Sequence, residues 1–484
     1  KGKNMEKWLE KYLDILREKP EMKEYEWRYE MVPLLIRKGL GHPARNVNFE
    51  RERADVRIND DNGIPFIVFE TKISENAIRR KKAREQAFTY IKGGESYIVL
   101  ASKHCWLVYK PNDKDHFEEI RFDEEEGITH SGVFEKLKYE YISGRFNDFK
   151  EGKSPTGYIK LITGDKDNKL IQALRKSHSL LYDCAKSIWP QLCEKYDEYL
   201  RKRGELEQNR ELVERNITHR DAKRERLQAL DLEQRQLEKD YEVEIEAIEK
   251  SYSLFRQIQP FSRNVKEELI LDIYLKEASY LALNRALMIR ILEDKELLNR
   301  KISESGIKAW RDFTTNIKER YQNLLRFSFW DAEMIYRHFF QEGPYGWYLK
   351  TNGGLGDVVL KMFYLLNAFD LSELDKDALR SLYQKYYDPD ERKKLGEFYT
   401  PPEVIKYLLQ AVGWPGEGKL LDFSCGSGGF LVEALREKIS AMDKRGISAE
   451  NQWNEARNIY GFDINPFAAH IAEMNLLFLL LDKF

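Results

Sequence analysis

Two groups of residues in this chain could do chemistry by type and spacing. The first is Asp55 together with Glu70-Thr71-Lys72. Asp55 lies in the short apolar run ADVRI at 54–58, and Glu70 closes the run PFIVFET at 65–71. Alternate side chains of an extended strand share a face, so Glu70 and Lys72 point the same way. Two carboxylates at one sheet edge can hold Mg2+, which takes oxygen ligands and keeps several waters. The metal would lower the pKa of a bound water and stabilise charge on a phosphoryl centre, with Lys72 orienting the water or neutralising that charge. Phosphodiester hydrolysis is the chemistry this set suits. An isolated Asp followed by Glu-x-Lys is a weak pattern, and its plain alternative is a pair of surface strands carrying ordinary charges.

The second group is sharper. Leu420-Leu421-Asp422-Phe423-Ser424-Cys425-Gly426-Ser427-Gly428-Gly429-Phe430 reads as a strand, a glycine turn and a helix start. That order lets backbone approach a ligand closely at the end of a parallel sheet. About forty residues on, Gly461-Phe462-Asp463-Ile464-Asn465 ends a second strand with an acid. Asp463 is placed to accept hydrogen bonds from ribose hydroxyls. The dinucleotide Gly-x-Gly-x-x-Gly fingerprint is not met, because counting from Gly426 puts its third glycine at Leu431.

Around the first group, roughly residues 20–110 resemble the PD-(D/E)xK nuclease superfamily as it occurs at the N-terminus of restriction-enzyme subunits. Glu30 precedes the first strand, where that family often carries an acid. Gln86 and Tyr90 of QAFTY match its Gln-x-x-x-Tyr element, and Cys105-Trp106-Leu107-Val108-Tyr109 is similar to its closing strand. Ala54 stands where the family has proline. The resemblance implies a catalytic set of Asp55, Glu70, Lys72, Gln86 and Glu30, with Asp55 and Glu70 holding Mg2+. The basic run Arg79-Arg80-Lys81-Lys82-Ala83-Arg84 is either a phosphate-contacting helix or a solvated face.

Upstream of the second group, Gly396-Glu397-Phe398-Tyr399-Thr400-Pro401-Pro402 resembles the motif preceding the glycine turn in S-adenosylmethionine-dependent adenine-amino DNA methyltransferases. By that resemblance Phe398, Tyr399 and Thr400 bind the methionine end of S-adenosylmethionine. Asp422, Cys425, Gly426 and Gly428 cradle methionine and ribose, and Asp463 holds the ribose. The family's Asn/Asp-Pro-Pro-Tyr/Phe catalytic string is absent, since Asn465-Pro466-Phe467 falls directly after the second strand. The sequence stops at Phe484, ahead of the later strands and target-recognition region the resemblance implies. The expectation is therefore a methyltransferase whose remaining part lies further along the same chain or in another.

The elements that must position these groups fall into three segments. Residues 1–150 mix two amphipathic helical stretches (Trp8 to Leu16, and around Trp27 to Ile36) with four strand-like runs, and a single charged helix is expected over 75–91. Residues 151–380 are nearly free of strand signals. Within them 199–250 alternates both charge signs with apolar residues at three-and-four spacing, as in a helical hairpin or arm. The stretch GPYGWY at 343–348 reads as a loop. Residues 381–484 open a doubly wound α/β, Rossmann-like fold. The fold class is multidomain: an α/β nuclease-type domain, an all-α connector and the start of a methyltransferase.

Composition narrows the class. With 42% hydrophobic and 33% charged residues the chain is neither disordered nor a membrane protein, and no apolar run approaches the ~18 residues that span a bilayer. Four scattered cysteines make neither a disulfide framework nor a zinc cluster. A soluble cytoplasmic protein is expected. Net charge is −2, so double-stranded DNA, the partner implied, would be met by local patches rather than a basic body. Nuclease, helical connector and methyltransferase together resemble the type IIG restriction–modification enzymes: Mg2+-dependent DNA cleavage joined to adenine methylation. Two alternatives stay open. One is a phage-defence methyltransferase with an inactive nuclease-like DNA-binding domain. The other is a non-catalytic subunit that docks a partner through its helical arm.

Overall fold

The computed structural model describes residues 6–481 except 50–53, 62, 92–94, 124, 126, 130, 154–160, 163–168, 259–264, 316–319, 342, 352–353 and 373–399. The chain divides into two compact units, both discontinuous in sequence. One comprises Lys1–Lys176, Glu293–Thr315 and Met362–Glu373; the other comprises Ser177–Leu292, Asn316–Lys361 and Leu374–Phe484. No helix among the described residues is long and apolar enough to cross a membrane.

The first unit is built on a seven-stranded sheet: β1 (Val47–Asn48), β2 (Val56–Asn59), β3 (Pro65–Thr71), β4 (Tyr97–Ala101), β5 (Cys105–Lys110), β6 (Asp113–Asp123) and β7 (Gly127–Thr129). Spatial order follows chain order, and β3 with β4 is the one parallel pair. A parallel neighbour needs a crossover, supplied by helices Glu75–Ile78 and Lys81–Phe88. The single helix expected over 75–91 is thus two, interrupted at Arg79–Arg80. Every residue of β3 is buried because helices cover both sheet faces. Ile67 and Phe69 pack towards helices Lys7–Glu18 and Glu24–Met31, with Tyr12, Trp27, Val99 and Trp106. On the opposite face Ile98 and Leu100 of β4 meet Ala83 and Ala87 of the crossover helix. Tyr12 fastens the helical layer, accepting from Trp27 Nε1 at 2.8 Å and donating to the Lys103 carbonyl at 2.6 Å. The segment expected to lack strands contributes β8 (Leu161–Ile162), parallel to β9 (Phe369–Asp370).

The second unit is mostly helical. Helix Lys169–Asn216, which begins in the first unit, turns back through helix Arg220–Asp240, and Arg210 bridges to Asp231 at 3.0 Å. This is the hairpin the charge alternation predicts. Helix Glu267–Asp294 is its buried centre, where even Glu277 and Asn284 are wholly enclosed. The expected GPYGWY loop contains a 3-10 turn, Gly346–Lys350, whose Trp347 lies in an aromatic cluster with Trp189 and Tyr274.

Toward the C-terminus β10 (Leu420–Asp422) pairs in parallel with β11 (Ile459–Gly461). Leu420 and Ile459 pack under helices Pro402–Ala411 and Gly429–Lys444. Their neighbours Leu421 and Tyr460, partners in register, are exposed on the other face.

Candidate functional site

At the first site, β2 and β3 run antiparallel with Val56 opposite Phe69, so Asp55 arrives beside Glu70 and Thr71. Its Oδ2 accepts from both the Thr71 amide and the Thr71 hydroxyl at 2.6 Å. Its Oδ1 meets Arg28 Nη2 at 2.5 Å, and Arg28 also donates to Thr71 Oγ1 through Nε at 3.0 Å and Nη2 at 2.8 Å. Glu70 is 2% exposed; one oxygen takes Lys72 Nζ, while Oε2 is buried with no hydrogen-bond partner among the described residues. Burial raises the Glu70 pKa; the Lys72 hydrogen bond opposes this and the Asp55 charge adds to it. Burial alone pulls the Lys72 ammonium down, but its hydrogen bond to Glu70 and the charges of Glu70, Glu24 and Asp55 outweigh that, leaving it raised.

Asp55, Glu70 and Lys72 are therefore brought together. Glu30 forms an ion pair with Lys19 at 3.7 Å. The acid whose charge reaches Glu70 and Lys72 is Glu24, one helical turn before Arg28, which it contacts at 3.5 Å. Glu24, Arg28 and Thr71 are the residues sequence reasoning missed. The available signal was the i,i+4 spacing of Glu24 and Arg28 on a helix leading to the site. Gln86 is exposed and donates to the Tyr90 hydroxyl at 2.7 Å, so the two members of that element act on each other. In the basic run Arg79 is committed to Glu75 at 2.9 Å and Glu119 at 2.7 Å, while Arg80 and Lys82 are exposed.

The donor set suits a divalent cation: Asp55 and Glu70 supply oxygens from adjacent strands, and the orphaned Glu70 Oε2 is a buried acceptor lacking a donor. A second cluster of ligand-type groups, Glu75, Cys105 and Glu119, lies within 4.8 Å. Arg79 and Arg121 already neutralise its two carboxylates, and burial pushes the Cys105 thiol up to about 12. That cluster bolts the crossover helix to the sheet by ion pairs.

At the second site the two strands end side by side, with Asp422 paired to Gly461. The turn after β10 needs glycine twice in the left-handed region, Gly426 at φ 51° and Gly428 at φ 85°. Gly428 starts helix Gly429–Lys444 and lies so close to helix Pro466–Leu481 that an added Cβ would meet Ala472 Cβ at 2.8 Å. Asp463 crosses from the second strand: Oδ2 accepts from the Gly426 amide at 2.8 Å and Oδ1 from Asn465 N at 2.8 Å. Asp422 Oδ1 accepts from Ser424 N at 3.1 Å. Burial, with the charges of Asp463 and Asp422, pushes the Cys425 thiol up to about 11, so it is no nucleophile at neutral pH. Phe423, Phe462 and Ile464 stand exposed beside the two acids. Acids that receive polyol hydroxyls, next to apolar side chains that cover a flat ring, suit a nucleoside-containing cofactor.

Thr400 is half-buried two residues before helix Pro402–Ala411, whereas Phe398 and Tyr399 lie outside the described residues. Asn465-Pro466-Phe467 has a structural explanation. Asn465 Oδ1 accepts from Phe467 N at 2.9 Å and its carbonyl from Ala469 N at 3.1 Å, so Asn465 caps helix Pro466–Leu481 with proline at the first helical position.

The glycine turn, the paired strand ends and the crossing acid belong to a class of domain that comparison with known proteins identifies. Residues 375–482 match the family model for N-6 DNA methylase. The chain is similar to the Type I restriction enzyme MjaVII methylase subunit of Methanocaldococcus jannaschii, 23% identical over 221 residues, covering 44% of this chain and 34% of that protein. It is similar to the MjaIX methylase subunit of the same organism, 34% identical over 124 residues, 24% of this chain and 20% of that one. It is also similar to Type II methyltransferase M.VspI of a Vibrio species, 29% identical over 113 residues, 23% of this chain and 24% of that one. The chain spans about a third or less of the length of these relatives.

Proposed function

We propose that this chain belongs to a restriction–modification enzyme of the type IIG kind, binding S-adenosylmethionine at its C-terminal site and cleaving DNA at its N-terminal one. The observation that carries the methylase half is the hydrogen bond from the Gly426 amide to Asp463, which ties the left-handed glycine turn to the end of the second strand. Asp463 and Asp422 would hold the ribose and methionine portions, Thr400 would lie toward the methionine, and the turn amides would approach the cofactor closely. Bound there, S-adenosylmethionine supplies an activated methyl group. Calorimetry of the wild type with S-adenosylmethionine tests this: binding is expected, Asp463→Ala should abolish it, and no wild-type binding refutes it.

The nuclease half rests on the meeting of Asp55, Glu70 and Lys72 at one end of the β2–β3 pair, with a buried Glu70 oxygen awaiting a donor. Asp55 and Glu70 would hold Mg2+, which supplies an acidified water. Lys72 is held charged beside Glu70 and is suited to neutralise the phosphate. Cleavage of duplex DNA should require added Mg2+ and should be lost in Asp55→Ala and Lys72→Ala. Unchanged cleavage by both variants would remove the assignment and favour a DNA-binding role for this sheet unit. The remaining partners, a target-recognition region and the rest of the methylase, are proposed on the likeness to restriction-system methylases.

A further inference from the structure

The helical unit contains a cavity of about 670 Å3 that neither site uses, between helices Glu267–Asp294 and Arg320–Glu333 above the 3-10 turn Gly346–Lys350. Helix Arg320–Glu333 buries Tyr321, Leu324 and Leu325 on one face. Its other stripe, at helical spacing, presents Asn323, Arg326, Phe327, Trp330 and Glu333 to the cavity. Trp330 is 62% exposed and Phe327 40%. Asn323 and Glu333 are half-buried and, like Arg326, make no hydrogen bond or ion pair among the described residues. The neighbouring Arg285, by contrast, is committed to the carbonyls of Phe339 at 3.0 Å and Gln341 at 2.7 Å. The opposite wall carries the small residues Ala278 and Ala282, leaving room for a flat body over the indole.

Each of these groups suits one part of a nucleotide. An indole face takes any base by stacking. A side-chain amide pairs with the edge of an adenine, a carboxylate accepts from an exocyclic amine, and a guanidinium takes a phosphate. An apolar peptide helix would leave Asn323 and Glu333 desolvated without partners, a penalty a nucleotide avoids. The cavity also abuts the methylase elements. Phe340 lines it, while the preceding Phe339 stacks on His470 of helix Pro466–Leu481 at 4.4 Å.

We propose that this cavity holds one unpaired nucleotide of a DNA strand, its base stacked on Trp330 and its edge read by Asn323 and Glu333, with Arg326 on the phosphate. It is a site separate from the glycine turn and needs neither S-adenosylmethionine nor a metal ion.

The test uses the full chain without either and with EDTA present, so that failure of the methylase or nuclease reading cannot mimic failure here. Anisotropy of fluorescein-labelled (dA)12 is measured with wild type, Trp330→Leu and Asn323→Leu, with circular dichroism confirming the fold of each. Both positions face the cavity rather than the core. Trp330→Leu is expected to weaken binding by about 5- to 150-fold, the range for losing one stacked base, and Asn323→Leu to narrow the preference for (dA)12 over (dT)12. Oligonucleotides carrying 4-thiothymidine should photocrosslink to helix Arg320–Glu333. If both variants bind within twofold of wild type and no crosslink falls on that helix, the proposal is overturned. Binding of dAMP without binding of (dA)12 overturns the DNA-strand assignment in favour of a free nucleotide.

Discussion

Alanine at two neighbouring glycines should have different consequences. Both Gly426 and Gly428 sit in the left-handed region, at φ 51° and 85°. An L-residue there costs roughly 1–2 kcal/mol, offset by about 0.4–1 kcal/mol because alanine restricts the unfolded chain. For Gly426→Ala nothing among the described residues lies within 4 Å of the new methyl, so a loss of about 1 kcal/mol is the whole expected effect on stability. For Gly428→Ala the methyl meets Ala472 Cβ at 2.8 Å and Ala472 Cα at 3.0 Å. Ala472 is buried against Cys425 and Leu431, and its backbone cannot rotate aside. Overpacking of this kind adds about 1–3 kcal/mol, bringing the total to about 2–4 kcal/mol. The assay is urea unfolding of the two variants side by side, followed by calorimetry with S-adenosylmethionine under native conditions. Gly428→Ala should unfold at clearly lower urea. Gly426→Ala should lose only about 1 kcal/mol of stability yet lose cofactor affinity, because its methyl projects into space over the turn that no described residue fills. Equal destabilisation of the two variants, or a Gly426→Ala protein with wild-type affinity, would refute the argument that one glycine serves packing and the other ligand approach.

Further outcomes test the sheet unit. Arg28→Gln should free Asp55 Oδ1 from its 2.5 Å contact and tighten terbium binding by about tenfold, one charge-assisted hydrogen bond's worth; unchanged luminescence titrations would count against a cation at Asp55. Burial pushes the His42 imidazole down from 6.5 to about 4, its Nε2 lying 2.8 Å from the Leu137 carbonyl. Folding therefore favours neutral His42: its contribution is whole above pH 6.5 and is lost as pH falls through that window, by roughly 3 kcal/mol. Unfolding of His42→Gln should show a flatter pH dependence between 6.5 and 4 than the wild type. Glu95→Ala would leave the buried Arg57 guanidinium without the carboxylate now 2.5 Å away and should cost about 3–5 kcal/mol in chemical denaturation. Replacing both by leucine should recover most of that loss.

Much of the architecture was legible because the patterns were local. PFIVFET reads as a doubly buried strand, and the 199–250 charge alternation reads as a hairpin. Strand β6 escaped because most of its side chains face solvent and carry charge, leaving no apolar alternation to read. The break at Arg79–Arg80 escaped because no proline or glycine marks it. It is stabilised by Arg79 bridging Glu75, one helical turn back, and Glu119 on a strand distant in sequence.

The sites divide the same way. By itself the sequence singled out the candidate residues: the glycines that only a left-handed turn requires, the acids that end two parallel strands, and a Glu-x-Lys whose period-two spacing shares a face. These follow from backbone sterics and strand alternation, which act over a few residues. Only the tertiary structure decided which groups meet. It brought the charge of Glu24 to Glu70 and Lys72, gave Asp55 to Arg28, made Asn465 a helix cap, and assembled an aromatic cavity from two helices and a turn. Those choices depend on how helices rotate and dock against a sheet or one another, a property of packing between distant segments that short-range periodicity does not encode.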